Sequence, residues 1–206
     1  MILDFDELYN KYNMKINGMI HIGSHYGQEY EIYKKYNIEN IVFIEPLTDG
    51  FKGLKKNVGE HENIVLVKKA LGNFEGKAEM NVASNGQSSS MLKPKVHLTQ
   101  HPGITFTKTE TVDMTTLDNL MKTLQFKDYN FITIDVQGYE LEVFKGGTET
   151  LNKIDYIMSE VNRDEMYEDC VLVDALDDFL SKYKFRRVES FWPESWGWGD
   201  AFYIKE

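Results

Sequence analysis

The strongest constraint on this chain is a series of short apolar runs, each followed by a segment with helical spacing. The first runs are Gly18–Gly23, Ile41–Ile44 and Ile64–Val67, and the helical segments between them are Tyr26–Tyr36 and Phe51–Val58. Continuous β-branched and aromatic runs are typical of parallel strands buried on both faces. Strands and helices that alternate in this way predict a parallel sheet with right-handed crossovers.

The middle of the chain interrupts this alternation. Lys77–Val82 has the polar–apolar alternation of an edge strand, Ser84–Ser90 reads as a flexible polar loop, and residues 93–104 look irregular. Three further strands are predicted at Thr105–Val112, Phe131–Ile134 and Asp155–Met158. One helix is predicted to begin after Thr116, a second to run through Phe144 and a third to span Val171–Tyr183. The chain ends in a predicted hairpin of Phe185–Glu189 with Asp200–Ile204. This order predicts one α/β domain over residues 1–206.

Composition excludes several classes of protein. The 206 residues have a formal charge of −10, which argues against a general nucleic-acid binder because phosphate recognition needs a basic face. The acidic first residues lack the pattern of a signal peptide, and no apolar run approaches the roughly 20 residues of a membrane helix. A single cysteine, Cys170, excludes an internal disulfide. We therefore expect a cytoplasmic protein with no nucleic-acid or membrane partner.

Polar residues follow the predicted strands at their carboxyl ends, where open parallel sheets bind ligands. A glycine-bracketed turn, Gly23–Gly27, follows the first strand, and Glu45 ends the second. Glycine lets the backbone approach a ligand, and a carboxylate at this position can accept both hydroxyls of a ribose. Tight strand–helix packing and an exposed acid before Pro46 are the structural alternatives. Together the two features favour a cofactor that contains adenosine.

NAD and S-adenosylmethionine both contain adenosine. The NAD fingerprint is G-x-G-x-x-G, whose glycines bring the backbone against a pyrophosphate. Here the bulkier Ser24, His25 and Tyr26 separate the two glycines. They disfavour a pyrophosphate but leave room for an amino-acid tail, so the turn favours S-adenosylmethionine.

Longer motifs connect the chain to a known family. They are Ile20–Glu29, Phe43–Pro46, Asn85–Ser90, Ile134–Gly147 and Ile157–Asn162, of which Ile134–Gly147 is the most specific. In these segments the chain resembles the FkbM-type branch of S-adenosylmethionine-dependent methyltransferases. The resemblance implies a Rossmann-like class I fold, with a seven-stranded, mostly parallel sheet, one antiparallel strand near an edge and helices on both faces. It also implies methyl transfer to a hydroxyl of a sugar, a glycan or a small natural product.

The resemblance also implies the residues of a cofactor site. They are Gly23, Ser24, His25 and Gly27 around the methionine part, Glu45 at the ribose, and Ala70 and Leu71 near the adenine. Many relatives end the first strand with an acid where this chain has His21. Either His21 takes that supporting role, or the methionine amine is held elsewhere.

Methyl transfer to an alcohol also needs a base or a metal near the acceptor oxygen. Asp135 ends a strand beside the expected sulfonium position. We expect it to contact the cofactor and to deprotonate the hydroxyl, position it or bind a cation. Glu160 and Asn162 end the next strand, so that these three residues form a candidate Mg²⁺ site with oxygen ligands. For Glu160 the structural alternative is a loop cap or a pair with Arg163.

Further candidates for the acceptor side lie outside the strand ends. They are His97, His101, Ser88, Ser89, Ser90 and Trp196. The two histidines are either bases or ordinary surface residues, and the serine run is either a linker or a lid that binds the acceptor. The tryptophan either stacks on a sugar ring or packs the final hairpin.

Two other functions stay open at this point. One is a non-catalytic binding module with a methyltransferase-like fold, and the other is an NAD-dependent oxidoreductase. The sequence does not indicate the oligomeric state.

Overall fold

The computed structural model describes residues 1–126 and 128–206, and its strands form two sheets. In chain order the strands are β1 (Met19–Ile22), β2 (Ile41–Ile44), β3 (Ile64–Val67), β4 (Ala70–Gly72), β5 (Gly76–Ala83), β6 (Phe106–Thr116), β7 (Phe131–Ile134), β8 (Tyr156–Asn162), β9 (Phe185–Phe191) and β10 (Trp198–Lys205). The main sheet has seven strands in the order β3-β2-β1-β7-β8-β10-β9, and the smaller sheet has the order β4-β6-β5.

The main sheet has the predicted mixed pattern. Neighbouring strands from β3 to β8 pair in parallel, and β10 runs antiparallel to both β8 and β9 near one edge. Strand β1 lies between β2 and β7, in register with both: Ile22 is opposite Ile44 and Ile134. This is the switch point at which open α/β sheets bind ligands. The residues that follow these three strands therefore meet at one edge of the sheet.

Helices flank the main sheet on both faces. They are α1 (Phe5–Lys11), α2 (Tyr30–Lys35), α3 (Thr48–Val58), α4 (His97–Gln100), α5 (Leu117–Thr123), α6 (Glu140–Lys145), α7 (Thr148–Leu151) and α8 (Val173–Ser181). Residues of α1, α2 and α3 share one buried cluster with Met19, whereas residues of α5 to α8 share another with Ile20 and Ile22. Because neighbouring strand residues point to opposite faces, the two clusters cover the two sides of the sheet.

Two local predictions were wrong. Ile64–Val67 is a strand, but its residues are only partly buried, because β3 is the edge of the sheet and only one side has a strand neighbour. The first crossover helix begins at Tyr30 rather than Tyr26. His25 and Gly27 have φ values of +46° and +68°, which a right-handed helix does not contain.

The segment that interrupts the alternation forms the smaller sheet. The predicted edge strand is β5, and it pairs with β6 rather than with the main sheet. The predicted closing hairpin is present as β9 and β10. Within residues 1–126 and 128–206, every helix is too short or too polar to cross a bilayer.

Candidate active site

Two adjoining cavities lie at the carboxyl edge of β1, β2 and β7. The first, here the apolar cavity, is lined by Ile44, Glu45, Ala70, Leu71, Met80 and Tyr139 among others. The second, here the polar cavity, has a volume of about 280 Å³ and includes Glu29, Asp135, Gln137, Glu160 and Asn162 in its lining. Both cavities share Gly23, His25, Gln87 and Asp135. The apolar cavity is the smaller, at about 50 Å³, and these four residues form the wall that the two cavities share.

The glycine turn brings the backbone of β1 against that of β7. Gly23 has a φ of +77°, and a Cβ atom there would lie 1.9 Å from the Asp135 carbonyl oxygen. The N–H groups of Gly23 and Ser24 both donate to the Ile44 carbonyl, at 2.9 and 3.0 Å. Only glycine fits this approach. The turn thus forms the wall at which the two cavities meet.

Glu45 points a buried carboxylate into the apolar cavity. Its two oxygens accept N–H groups from His25 at 2.9 Å and Leu47 at 2.8 Å, which fixes the side chain while each oxygen keeps a free lone pair. Burial raises the pKa of Glu45 to about 7, although the two backbone N–H groups oppose this change. The Glu45 carboxylate is therefore oriented before any ligand binds.

An amide bridges the two carboxylates of the polar cavity. Gln137 Nε2 donates to Asp135 Oδ1 and to Glu160 Oε2, at 2.7 Å each. The Tyr167 hydroxyl lies 2.7 Å from Gln137 Oε1 and 2.9 Å from the Ser88 carbonyl, either of which can accept its proton. Burial and the negative charge of Asp135 raise the pKa of Glu160 well above its ordinary value.

The Gln137 turn is itself held by a buried acid. Glu140 Oε1 accepts the N–H groups of Val136 and Gly138, at 3.1 Å each. Gln137 adopts a φ of +55°, which is unusual for a residue with a side chain. The carbonyl of Gln137 also accepts the Ser90 hydroxyl at 2.7 Å. These contacts place the Gln137 side chain between the two carboxylates.

Two further polar side chains of this cavity lack partners for buried atoms. Asn162 is fully buried, and neither amide atom has a hydrogen bond within the described part of the chain. The Nδ1 atom of His97 is also without a partner there, and burial lowers the pKa of His97 to about 4. Buried polar atoms are seldom left unpaired. Both side chains belong to the lining of the polar cavity.

Aromatic residues form the outer end of the polar cavity. Trp198 lines the cavity and donates its indole N–H to His101 Nε2 at 3.2 Å. Trp196 stacks on Trp198 with ring centroids 5.1 Å apart and is 37% exposed. Trp196 itself lines neither of the two cavities, so its predicted contact with an acceptor stays a prediction.

The serine run is packed rather than flexible. Ser88, Ser89 and Ser90 are all buried, Ser88 lines the polar cavity and Ser89 lines the apolar one. The Ser89 hydroxyl accepts the Ala83 N–H at 3.0 Å and donates to the Gly86 carbonyl at 2.7 Å. The run is therefore a fixed part of the cavity walls, and its predicted contact with an acceptor stays a prediction.

The predicted metal ligands do not form an open cation site. Asp135, Glu160 and Asn162 all line the polar cavity, but the Gln137 NH₂ group occupies the position between the two carboxylates. No group of three His, Cys, Asp or Glu side chains in residues 1–126 and 128–206 is placed to hold a metal ion. The residues present thus do not fit a metal without displacement of the amide.

The seven-stranded sheet, with its cavities at the strand ends, has the Rossmann-like fold of class I methyltransferases. The chain belongs to the methyltransferase FkbM domain family, whose model matches residues 21–187. It is 28% identical over 138 residues to the 2-O-methyltransferase NoeI of Sinorhizobium fredii, a match that covers 63% of this chain and 56% of NoeI. The chain thus spans little more than half the length of that relative.

Solved structures of methyltransferases share this fold. ChlM, the magnesium protoporphyrin IX methyltransferase from Synechocystis PCC 6803 with bound SAM, superposes with a TM-score of 0.53 at 6% identity, over 98% of this chain and 76% of ChlM. TrmK from M. capricolum, in complex with S-adenosyl-homocysteine, gives a TM-score of 0.54 at 10% identity, over 100% of this chain and 70% of TrmK. At these identities the likeness shows the fold alone.

The sequence analysis did not single out three residues of the polar cavity: Gln137, Tyr167 and Glu29. Gln137 lies inside Ile134–Gly147, the most specific motif, two residues after Asp135. Its place in that motif was the signal by which the sequence could have indicated it. Tyr167 lies outside every quoted motif, in the segment between β8 and α8. No pattern in the sequence indicates that it reaches Gln137.

Proposed function

We propose that this chain transfers a methyl group from S-adenosylmethionine to a hydroxyl of a sugar, a glycan or a small natural product, with residues 1–206 as one catalytic domain. The observation that carries this proposal is the junction of the two cavities at Gly23 and Asp135. The apolar cavity has the chemistry of a nucleoside site, and the polar cavity brings carboxylates to its end. The match to a 2-O-methyltransferase supports an oxygen acceptor.

In this proposal the apolar cavity takes the adenosine part of the cofactor. The free lone pairs of Glu45 accept the ribose hydroxyls, and Ala70 and Leu71 contact the adenine. The methionine part follows the turn formed by Gly23, Ser24, His25 and Gly27 into the polar cavity. The bound cofactor supplies a methyl group on a positively charged sulfur.

Asp135 is the proposed base and positioning group. It takes the proton of the acceptor hydroxyl as the oxygen–carbon bond forms, and the electrons of the broken sulfur–carbon bond stay on sulfur. Because Gln137 holds both carboxylates, we assign Glu160 to the orientation of Asp135 and to storage of a proton. His97 and His101 then position the acceptor, since the low pKa of His97 makes it a weak base. The mechanism contains no metal step, and Mg²⁺ dependence stays a prediction from the sequence.

The charge of the polar cavity favours an uncharged acceptor. Glu29, Asp135 and Glu160 line it, and no Lys or Arg does so among the described residues. The Met1 amino group also lines the cavity, but a phosphate or a carboxylate brought beside three carboxyl groups would still meet an excess of like charge. We therefore disfavour nucleic acids as partners. A neutral sugar ring in this cavity meets Ser88, and contacts of the acceptor with Ser89, Ser90 and Trp196 stay predictions from the sequence. A cytoplasmic location likewise stays a prediction.

Mass spectrometry tests this proposal directly. Purified protein, S-adenosylmethionine and a panel of neutral glycosides should give a product with a mass gain of about 14 Da. Uronates matched to the neutral glycosides should react far more slowly. Failure of the protein to bind S-adenosylhomocysteine would refute the proposal. Binding without turnover across the panel would favour the non-catalytic module, and binding of NAD in its place would favour the oxidoreductase.

A further inference from the structure

The methionine part of the cofactor brings an ammonium group into the polar cavity. If the adenosine part lies in the apolar cavity, as the proposed function requires, the tail must pass the shared wall at Gly23 and His25. A buried ammonium needs a carboxylate partner, because an unpaired charge removed from water is strongly destabilised. The question is which carboxylate of the polar cavity is free to bind it.

Three carboxylates line the polar cavity: Glu29, Asp135 and Glu160. Asp135 and Glu160 both accept a hydrogen bond from the Gln137 amide, at 2.7 Å each. No hydrogen bond holds the Glu29 side chain in this way within the described part of the chain, although its charge, with those of Asp135 and Glu160, acts on the Met1 amino group in the same cavity. Of the three carboxylates, Glu29 is therefore the one that the Gln137 amide leaves free to bind a ligand.

The position of Glu29 matches the path of the tail. It directly precedes α2 and lies two residues after Gly27, at the end of the glycine turn. Glu29 lines the same cavity as His21 and His25. The cavity also contains the fully buried amide of Asn162 with no partner for either polar atom, which independently indicates a polar ligand here.

His21 cannot supply the negative charge itself. Burial lowers the pKa of His21 to about 4, against the opposing charge of Glu29, so the ring is neutral at pH 7. Its Nδ1 atom lies 3.2 Å from the Tyr33 hydroxyl, on the side of the buried aromatic cluster. The anion must then come from another element.

We propose that Glu29 binds the ammonium group of the cofactor's methionine part, so that the carboxylate comes from the start of α2 rather than from the end of β1. In this arrangement Glu45 and Glu29 hold the two ends of one ligand across the shared wall. Asp135 remains available to the acceptor hydroxyl.

Calorimetry with two related ligands tests the proposal. S-adenosylhomocysteine carries the ammonium group, whereas methylthioadenosine keeps the nucleoside and the thioether but lacks the amino acid. We expect Glu29→Gln to weaken S-adenosylhomocysteine roughly ten- to a hundredfold and to leave the affinity for methylthioadenosine unchanged. Glu31→Gln is the matched control, because Glu31 is an exposed acid of α2 that pairs with Lys34, and it should change neither affinity.

Each other outcome has a defined meaning. An unchanged affinity of Glu29→Gln for S-adenosylhomocysteine, or an equal loss for both ligands, overturns the assignment of Glu29. Glu29→Asp, which keeps the charge, should recover part of the lost affinity and guards against a purely structural effect. A wild-type protein that does not bind S-adenosylhomocysteine at all would instead refute the proposed function.

Discussion

Replacement of Glu45 by glutamine should have two separately measurable effects: a lower affinity for the ligand and a change in the pH dependence of the unfolding free energy. The substitution keeps the size of the side chain but removes the charge that we assign to the ribose hydroxyls. Hydrogen bonds to charged groups contribute roughly 1.5–3 kcal/mol each. We therefore expect Glu45→Gln to weaken S-adenosylhomocysteine by about 1–3 kcal/mol, and the loss should be largest above pH 7, where the wild-type carboxylate is ionised.

The same change should alter the pH dependence of the free energy of unfolding. Burial raises the folded-state pKa of Glu45 from 4.5 to about 7, so folding opposes ionisation. Below pH 4.5 the carboxyl is protonated in both states and carries no penalty. Between pH 4.5 and 7 the unfolded chain ionises first, and wild-type stability falls by about 3 kcal/mol in total. Above pH 7 the loss is complete.

Urea unfolding of both proteins at pH 4.5, 6 and 8 measures this effect. The unfolding free energy of Glu45→Gln minus that of the wild type should increase as the pH rises, since the variant lacks the ionisation penalty. Glu140 and Glu160 are present in both proteins, so their contributions cancel in the difference. Two parallel pH profiles would refute the reasoning, because they would show that the Glu45 carboxyl titrates as it does in the unfolded chain.

Three further predictions concern chemistry, backbone geometry and metal use. Asp135→Asn should lower turnover at least about a hundredfold in the mass assay, and a near-normal rate would exclude Asp135 from chemistry. Gly23→Ala should lower the unfolding free energy, measured by urea unfolding, by roughly 2–4 kcal/mol, because the new Cβ would lie 1.9 Å from the Asp135 carbonyl oxygen. Gly103→Ala is the control, because a Cβ atom there has no neighbour within 4 Å. EDTA should leave turnover unchanged, because Gln137 already bridges the carboxylates, and an inhibition reversed by Mg²⁺ would instead favour a metal.

The ends of the strands could be predicted from the sequence because they depend on local patterns. The runs Ile41–Ile44 and Phe131–Ile134 coincide with β2 and β7. Once these strands are parallel neighbours of β1, Gly23, Glu45 and Asp135 must lie at one edge. The antiparallel strand near the edge followed from the family resemblance, and the structure confirms it.

The contacts inside the cavities could not be predicted in this way. Tyr167 reaches Gln137 across 30 positions, and such a contact depends on how a loop packs rather than on any periodicity. The partial exposure of β3 depends on the order of the whole sheet, which the run of apolar residues does not contain. The polar composition of Ser84–Ser90 predicted mobility, yet its hydroxyls bond to backbone groups of β5 and of the Gln137 turn, which polarity alone does not reveal.

The connection between β5 and β6 contributes lining residues to both cavities, but its two parts contribute to different ones. Its first part supplies Gln87, which lines both of them, whereas His97, His101 and Ile104 in its second part line only the polar one. Sequence changes near Gln87 therefore alter the lining of both cavities together. Changes between residues 97 and 104 alter only the polar cavity and leave the apolar cavity, which we assign to the adenosine part of the donor, as it is.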